Sequence, residues 1–494
     1  MQKYSKIIAL LLVFLAFSCT SSHSSNDSDL IPDEDIDSDD IEKVDYDSDT
    51  QDSEIVDDSD EIPDLEQDEN EEEFDDTDRI NGYKRCYDEI PDEPYEGFFA
   101  DPNLESQIRK ILEYDDDHEL TEEDLEKVTE IRLRSKDIRG VEKLVNLECA
   151  KFDDRGGGGN IYDFTPLSTL KKLKKIGIYF RRPAEISPNE QVVNMTCLDG
   201  SFSLLTTLET LEIKETKLTD VSPIEQLVNL KTLELSDNQI ASLPENLGNL
   251  QKLEWLAFDD NKIKNIEPLK LLVNLKELFF YDNYVEDLSP IKDLINLTRL
   301  GCDGNNIKNI EPLTNLINLT LLLLSQNQIE KIPEEIANLK KLQELDLTFN
   351  NISNLPNLKG LNSLVTLRLS NNALNDEDLM KLDDLESVRF LEVGLNKITK
   401  VSVMKNLKSL NELYLNYNSI TDLSGFADNE SFPALKRLDL GSNKIEDVEA
   451  FRNRTGLSSL WVDKNCIKDF SPLEELKERG TYIGGMNEQL ESCE

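Results

Sequence analysis

Beginning at Leu208, a leading apolar residue returns at spacings of 22 to 25 residues, through Leu230, Leu253, Leu275 and on to Leu457. A chain with this period is built as a stack of like units, each resting on its neighbours, rather than around one central core. Every unit opens L-x-x-L-x-L-x-x-N-x-I/L, as in Leu275, Leu278, Phe280, Asn283 and Val285. The fourth and sixth places flank a solvent-facing residue on a short strand, so their side chains enter the core. The Asn column runs from Asn238 to Asn465, with Thr216 as its first departure. An Asn side chain offers both donor and acceptor, and so can satisfy backbone groups that the sharp turn after the strand leaves unpaired. The second half of the unit, such as Ile266-Glu267-Pro268-Leu269, returns along the other side, where Pro ends any strand and limits the return to short helical turns. Three weaker units led by Val128, Leu147 and Leu173 bring the count to fifteen. One unit buries too little apolar surface to order itself, so the stack needs a cap at each end.

Both caps are visible. Phe99 to Leu112 places Asp101 at a helix N-cap, Pro102 at the first helical position and apolar residues Leu104, Ile108 and Ile111 at helical spacing. Thr121 to Asp124 then reads as a capping box that leads through Leu125 into the first unit. This cap and the Pro-Leu repeats resemble the internalin-like leucine-rich-repeat proteins of bacterial surfaces, over about residues 98–494. The pattern implies an α/β leucine-rich-repeat solenoid, a horseshoe with a parallel sheet on its concave face. The expected organisation is a signal peptide at 1–18, an acidic disordered tether at 19–95, a helical N-terminal cap at 96–127, repeats at 128–479 with an insertion at 179–205, and a short C-terminal cap at 480–494.

Charge and histidine content narrow the function. The chain carries 53 Lys and Arg against 101 Asp and Glu, a net charge of −48. Between Thr20 and Asp78 stand 28 acidic residues and one base, Lys43. Such a chain repels polyanions, which argues against nucleic acid as a partner. Only His23 and His118 are present, and neither has a nucleophile near it in sequence. No metalloprotease, C-x-x-C or P-loop pattern occurs, and Gly156 to Gly159 reads as a flexible loop. Asp45, Asp47 and Asp49 match the first ligands of a calcium loop, but Thr50 and Val56 stand where Gly and Glu are needed. The reading is therefore non-enzymatic, with no cofactor and no metal.

The first residues read as an export signal, with Lys3 and Lys6 before the apolar run from Ile7 to Phe17. That run is too short to span a bilayer, and no later segment is long and apolar enough. Cys19 follows directly. It suits lipidation as in a bacterial lipoprotein, while Ala16-Phe17-Ser18 suits ordinary cleavage. Lipidation would make Cys19 the one membrane attachment of an outer-membrane or cell-surface protein. Ordinary cleavage would leave a periplasmic or secreted one. Six further cysteines remain. Cys302 takes an inward leucine position and reads as a buried free thiol. A Cys466–Cys493 disulfide would pin the tail over the last repeat. Cys86, Cys149 and Cys197 have no assignable pairing from sequence.

The third, fifth and seventh places of each unit face solvent on the concave side. Trp255, Phe279, Tyr281, Leu321 and Leu323 occupy them over four consecutive units, and Tyr414 and Trp461 occupy them further along. Exposed aromatic and apolar residues on adjacent strands mark an interaction surface. The expectation is that truncating Trp255 or Phe279 harms binding and spares stability. The ridge Asp237, Asp260 and Asp282 reads as solvated turn residues. These features suggest an envelope-displayed monomer that binds a protein ligand on its concave face. The alternative is an intracellular scaffold resembling the phosphatase-regulatory leucine-rich-repeat proteins, against which the signal segment argues.

Overall fold

The computed structural model describes residues 79–80, 83–84 and 94–493, apart from 116, 134–136, 154–162, 180–194, 196 and 403–404. The signal segment, Cys19, the acidic tract, Cys86, the Gly156–Gly159 loop and most of the 179–205 insertion lie outside these residues. Sixteen described strands form one open sheet, running in chain order from Glu130–Leu133 to Tyr482–Gly484, each hydrogen-bonded to its sequence neighbours. All the pairings in it are parallel, and the fourth-place leucines stand in line: Leu256, Leu278, Leu300, Leu322 and Leu345 are successive register partners. Behind them the sixth-place rings of Phe258 and Phe280 stack at 5.5 Å. The core is one continuous column, in which Leu278, Phe280, Val285, Leu288, Ile291 and Leu294 of a single unit are all fully buried. The return path is made of short 3-10 turns, such as Glu267–Leu271 and Glu311–Asn315, each with Pro in its first turn.

The strands stop after about three residues because the ladder asparagine turns the chain. Asn261 Nδ2 donates to the carbonyls of Leu235, Phe258 and Asp259, all at 3.0 Å, while its Oδ1 accepts from Ile240 N at 2.9 Å. One side chain thus satisfies its own turn and two backbone groups of the preceding unit. The same pattern recurs at Asn283, Asn305 and Asn327. Just before each ladder asparagine from Asn238 to Asn465 the backbone takes a positive φ, as at Asp260 (50°) and Gly304 (65°). The first ladder rung differs, since Asn238 Oδ1 accepts from Thr216 Oγ1 as well as from Thr216 N and Leu218 N.

The N-terminal cap is the helix Pro102–Ile111, with Asp101 accepting from Asn103 N at 2.8 Å and with Leu104 and Ile108 buried. Thr121 and Asp124 form a reciprocal capping box on the short helix Glu122–Leu125. At the other end Tyr482–Gly484 adds a sixteenth strand, and Gln489 serves as the final rung of the ladder. Its Oε1 accepts from Ile467 N at 3.3 Å, and its Nε2 donates to Val462 O at 2.9 Å and Gly485 O at 2.8 Å. A disulfide joins Cys466 and Cys493, with Cα atoms 5.8 Å apart. Cys149 and Cys197 each take part in a disulfide, and Cys302 is a buried free thiol. The longest unit, 25 residues from Leu410, is held by the buried Arg454, whose guanidinium donates to the carbonyls of Asp428, Ser431 and Phe432, each at 2.7 Å.

Replacing Asn305 by Ala should leave Val285 N without its partner inside the protein, and leave the carbonyls of Phe280 and Cys302 with only Asn283 and Asn327 as donors. We expect a stability loss of about 2 kcal/mol, since a buried unsatisfied group costs roughly 1–3 kcal/mol. Urea unfolding measures it, and a loss below about 1 kcal/mol would mean that the ladder is dispensable.

Candidate functional site

Parallel register brings the first group of concave residues together on four adjacent strands. Trp255, Glu277, Arg299 and Leu321 form one row, and Ala257, Phe279, Gly301 and Leu323 the next. Trp255 and Phe279 lie with ring centroids 6.3 Å apart, and Phe279 and Tyr281 5.9 Å apart. The Arg299 guanidinium sits 5.9 Å from the Phe279 ring centre and 3.8 Å from Glu277 Oε2. These neighbours cover Phe279, which is only 8% exposed, so the expectation of an exposed side chain there does not hold. Tyr281 lies over Gly301, where any Cβ would collide with the Tyr281 hydroxyl. Burial pushes the Tyr281 pKa well up. Trp255, Tyr281, Leu321 and Leu323 stay partly exposed.

The other two residues form separate groups. Tyr414 packs on Phe390 at 5.2 Å and donates its hydroxyl to Glu412 at 2.9 Å. Trp461 lies over Gly484, 6.0 Å from Tyr482. Both Tyr281 and Trp461 therefore fill the space above a glycine on the next strand, a structural use that a single unit does not disclose.

Carboxylates on this face do structural work that sequence reading missed. Asp259 Oδ1 accepts from Tyr281 N at 2.7 Å, and Asp303 Oδ1 from Ser325 N at 2.6 Å, so each ties down the turn of the next unit. Glu234 pairs with Lys214 Nζ at 2.9 Å. Glu212 is 2% exposed, and neither of its oxygens has a hydrogen-bond partner. Its burial, with Glu234 beside it, pushes its pKa up to about 8. Asp303 is likewise raised to about 8 by burial and Asp346, and Asp439 to about 6 by burial and Asp463. The only local signal was an acidic residue at the fifth or seventh place; its partner lies some 22 residues away. Asp237, Asp260 and Asp282 hold left-handed turn positions, at φ of 58°, 50° and 50°.

The remaining chemistry is sparse. His118 contacts Asp124 at 3.3 Å within the N-terminal cap, where Tyr114, Thr121 and Lys127 also bind that carboxylate and hold its pKa well below the usual range. Among the described residues no group of three His, Cys, Asp or Glu side chains could hold a metal ion. Among them too, no helix is long and apolar enough to cross a membrane.

The raised carboxylates give a signed pH dependence. Unfolded carboxyls titrate near 4. Between about pH 4 and pH 8 the folded chain therefore keeps protons that the unfolded chain has released, and these groups lower stability as pH rises. Glu212→Gln should raise stability by on the order of 2 kcal/mol near pH 8 and change it little near pH 4. Urea midpoints at the two pH values test this; an equal effect at both would contradict it.

Comparison with known proteins agrees with this geometry. Residues 294–483 match the model of a leucine-rich repeat region, and residues 206–249 a model of two leucine-rich-repeat copies. No curated protein sequence matches the chain. A leucine-rich-repeat protein from Leptospira interrogans superposes with a TM-score of 0.61 at 24% identity, over 73% of this chain and 97% of its own. An internalin, InlF, from Listeria monocytogenes gives a TM-score of 0.53 at 24% identity, over 78% and 95%. A plant peptide hormone receptor, RGFR1, solved in complex with RGF2, gives 0.53 at 21% identity, over 73% and 65%. With its repeat models, its sixteen-strand parallel sheet and these neighbours in fold, the chain folds as a leucine-rich-repeat solenoid of internalin-like architecture.

Proposed function

We propose that the chain is a non-catalytic protein-binding module displayed on the bacterial cell envelope, with its ligand seated on the concave face. The observation that carries this reading is Trp255. It is a large side chain, partly exposed on a rigid parallel sheet, in the same row as Leu321 and beside the row of Leu323. Unlike Phe279, these three leave apolar surface in water. The core behind the sheet is already complete, with Leu256, Leu278, Leu300 and Leu322 fully buried. Apolar groups retained on such a surface fit a partner's contact. Tyr414 and Trp461 extend the same face towards the C-terminal end. The fold accommodates polypeptide ligands, as the receptor solved with its peptide hormone illustrates.

Display on the envelope rests on the sequence of the first nineteen residues, with attachment through Cys19 or release after ordinary cleavage. The disulfide-bonded Cys466, Cys493, Cys149 and Cys197 support an oxidising compartment and speak against the cytoplasmic scaffold. The ligand is a protein rather than a nucleic acid, since a chain with a net charge of −48 repels polyanions.

The test uses Trp255→Ala in the full chain, with a ligand captured from host or neighbouring-cell extracts and then purified. Binding should weaken by about thirtyfold, the cost of losing a hot spot, while stability changes by less than about 1 kcal/mol. A destabilised variant with intact affinity would assign Trp255 to structure. Phe279→Ala, by contrast, should cost stability, because that ring is buried.

A further inference from the structure

At the eighth place of each unit, just before the ladder asparagine, the backbone enters the left-handed region, with φ between 50° and 65° from Asp237 to Lys464. A side chain with a Cβ is strained there, least so for Asn and Asp and not at all for Gly. Asp237, Asp260, Asp282, Gly304 and Asn371 follow that rule. Phe349, Leu395 and Tyr417 do not. They are large apolar residues at φ of 55°, 52° and 56°, and they are 42%, 43% and 45% exposed. Each combines backbone strain with apolar surface left in water. Phe349 N donates to Ser370 O at 2.9 Å, just as Asp260 N donates to Tyr281 O at 2.9 Å in a unit that uses Asp.

The three residues fall within four consecutive units, and the sheet face of those units carries Phe390 and Tyr414, with the Arg368 guanidinium 5.1 Å from the Phe390 ring centre. The outward charges there are Glu344, Asp346, Glu392, Glu412 and Asp439 against Arg368 and Arg437. Both arginines are already engaged: Arg368 pairs with Glu344 and lies 3.9 Å from Glu392, and Arg437 lies 3.8 Å from Glu412. Among the described residues no Lys or Arg lies within ion-pair distance of Asp346 or Asp439; each accepts from a backbone N–H of its own turn, Thr348 N and Gly441 N, at 2.9 Å.

We propose that the rim formed by Phe349, Leu395 and Tyr417, with the adjoining face at Phe390 and Tyr414, is a docking surface for a polypeptide segment that carries apolar side chains flanked by Lys or Arg. The apolar side chains cover the rim, and the cations meet Asp346 and Asp439. This surface does not depend on Trp255, and the two are separable by experiment.

The full chain and the variant F349N/L395N/Y417N are panned against one display library of random short peptides, and the selected peptides are measured individually by fluorescence anisotropy. Asn suits the left-handed turn, so the variant should melt at the same temperature or higher. Peptides selected on the unmodified chain should combine apolar and basic residues. They should bind the rim variant about tenfold or more weakly, lose affinity with D346N/D439N, and bind W255A unchanged. Peptides that bind the rim variant equally well, or whose affinity ignores D346N/D439N, would overturn the proposal. A lowered melting temperature of the rim variant would do the same, by assigning these side chains to packing. Loss of peptide binding with W255A alone would refer the activity to the Trp255 surface instead.

Discussion

The amide of the ladder asparagine is the interaction on which the rest of the molecule depends. A stack of short strands needs the chain to reverse direction at every rung, and each reversal takes backbone donors and acceptors out of the sheet without giving them partners. Asn solves this because one side chain holds two donors and one carbonyl. Asn305 joins two levels at once, reaching Phe280 O and Val285 N of the preceding unit and Cys302 O of its own. The left-handed residue before it follows from the same turn. So does the parallel register, since every rung is placed at a fixed offset from the last.

A fold held from behind in this way leaves its concave face free to vary. The core column is closed by the fourth- and sixth-place residues, so the third, fifth and seventh places are constrained chiefly by their neighbours on adjacent strands. Some of that freedom is used for local repair: Tyr281 covers Gly301, Trp461 covers Gly484, and Asp259 and Asp303 tie neighbouring turns. What remains after these uses is the informative part. Trp255, Leu321 and Leu323 on the sheet, and Phe349, Leu395 and Tyr417 on the rim, expose apolar surface that the stack does not require.

The solenoid, its register, the helical cap and the buried Cys302 were legible because each rests on a local pattern repeated at a known period. The Leu at place four and the Asn at place nine mean the same thing in every unit. The exposure of a concave side chain depends instead on residues about 22 positions away in either direction. Phe279 is covered because Trp255, Tyr281 and Arg299 surround it, and no single unit contains that information. The Gln489 rung was hidden for a different reason. It is a Gln rather than an Asn, in a tail that lacks the leading leucine pattern, and only the tail's path back over Cys466 brings it into line. The strained rim residues show as the apolar members of a column that otherwise holds Asp, Gly, Asn, Gln, Ser and Lys, a signal that means little until the turn geometry is known.

If the ladder holds the stack while the concave aromatics serve contact, the two classes of residue must differ in how far their loss spreads. Amide hydrogen exchange on the folded full chain separates them. Asn327→Ala should speed exchange cooperatively across the units on either side, from about Leu297 to Leu364, whereas Leu321→Ala should leave protection there unchanged. Faster exchange confined to the turn at Asn327, or equal loss of protection in the two variants, would contradict a ladder that carries the fold and a face that is free for binding.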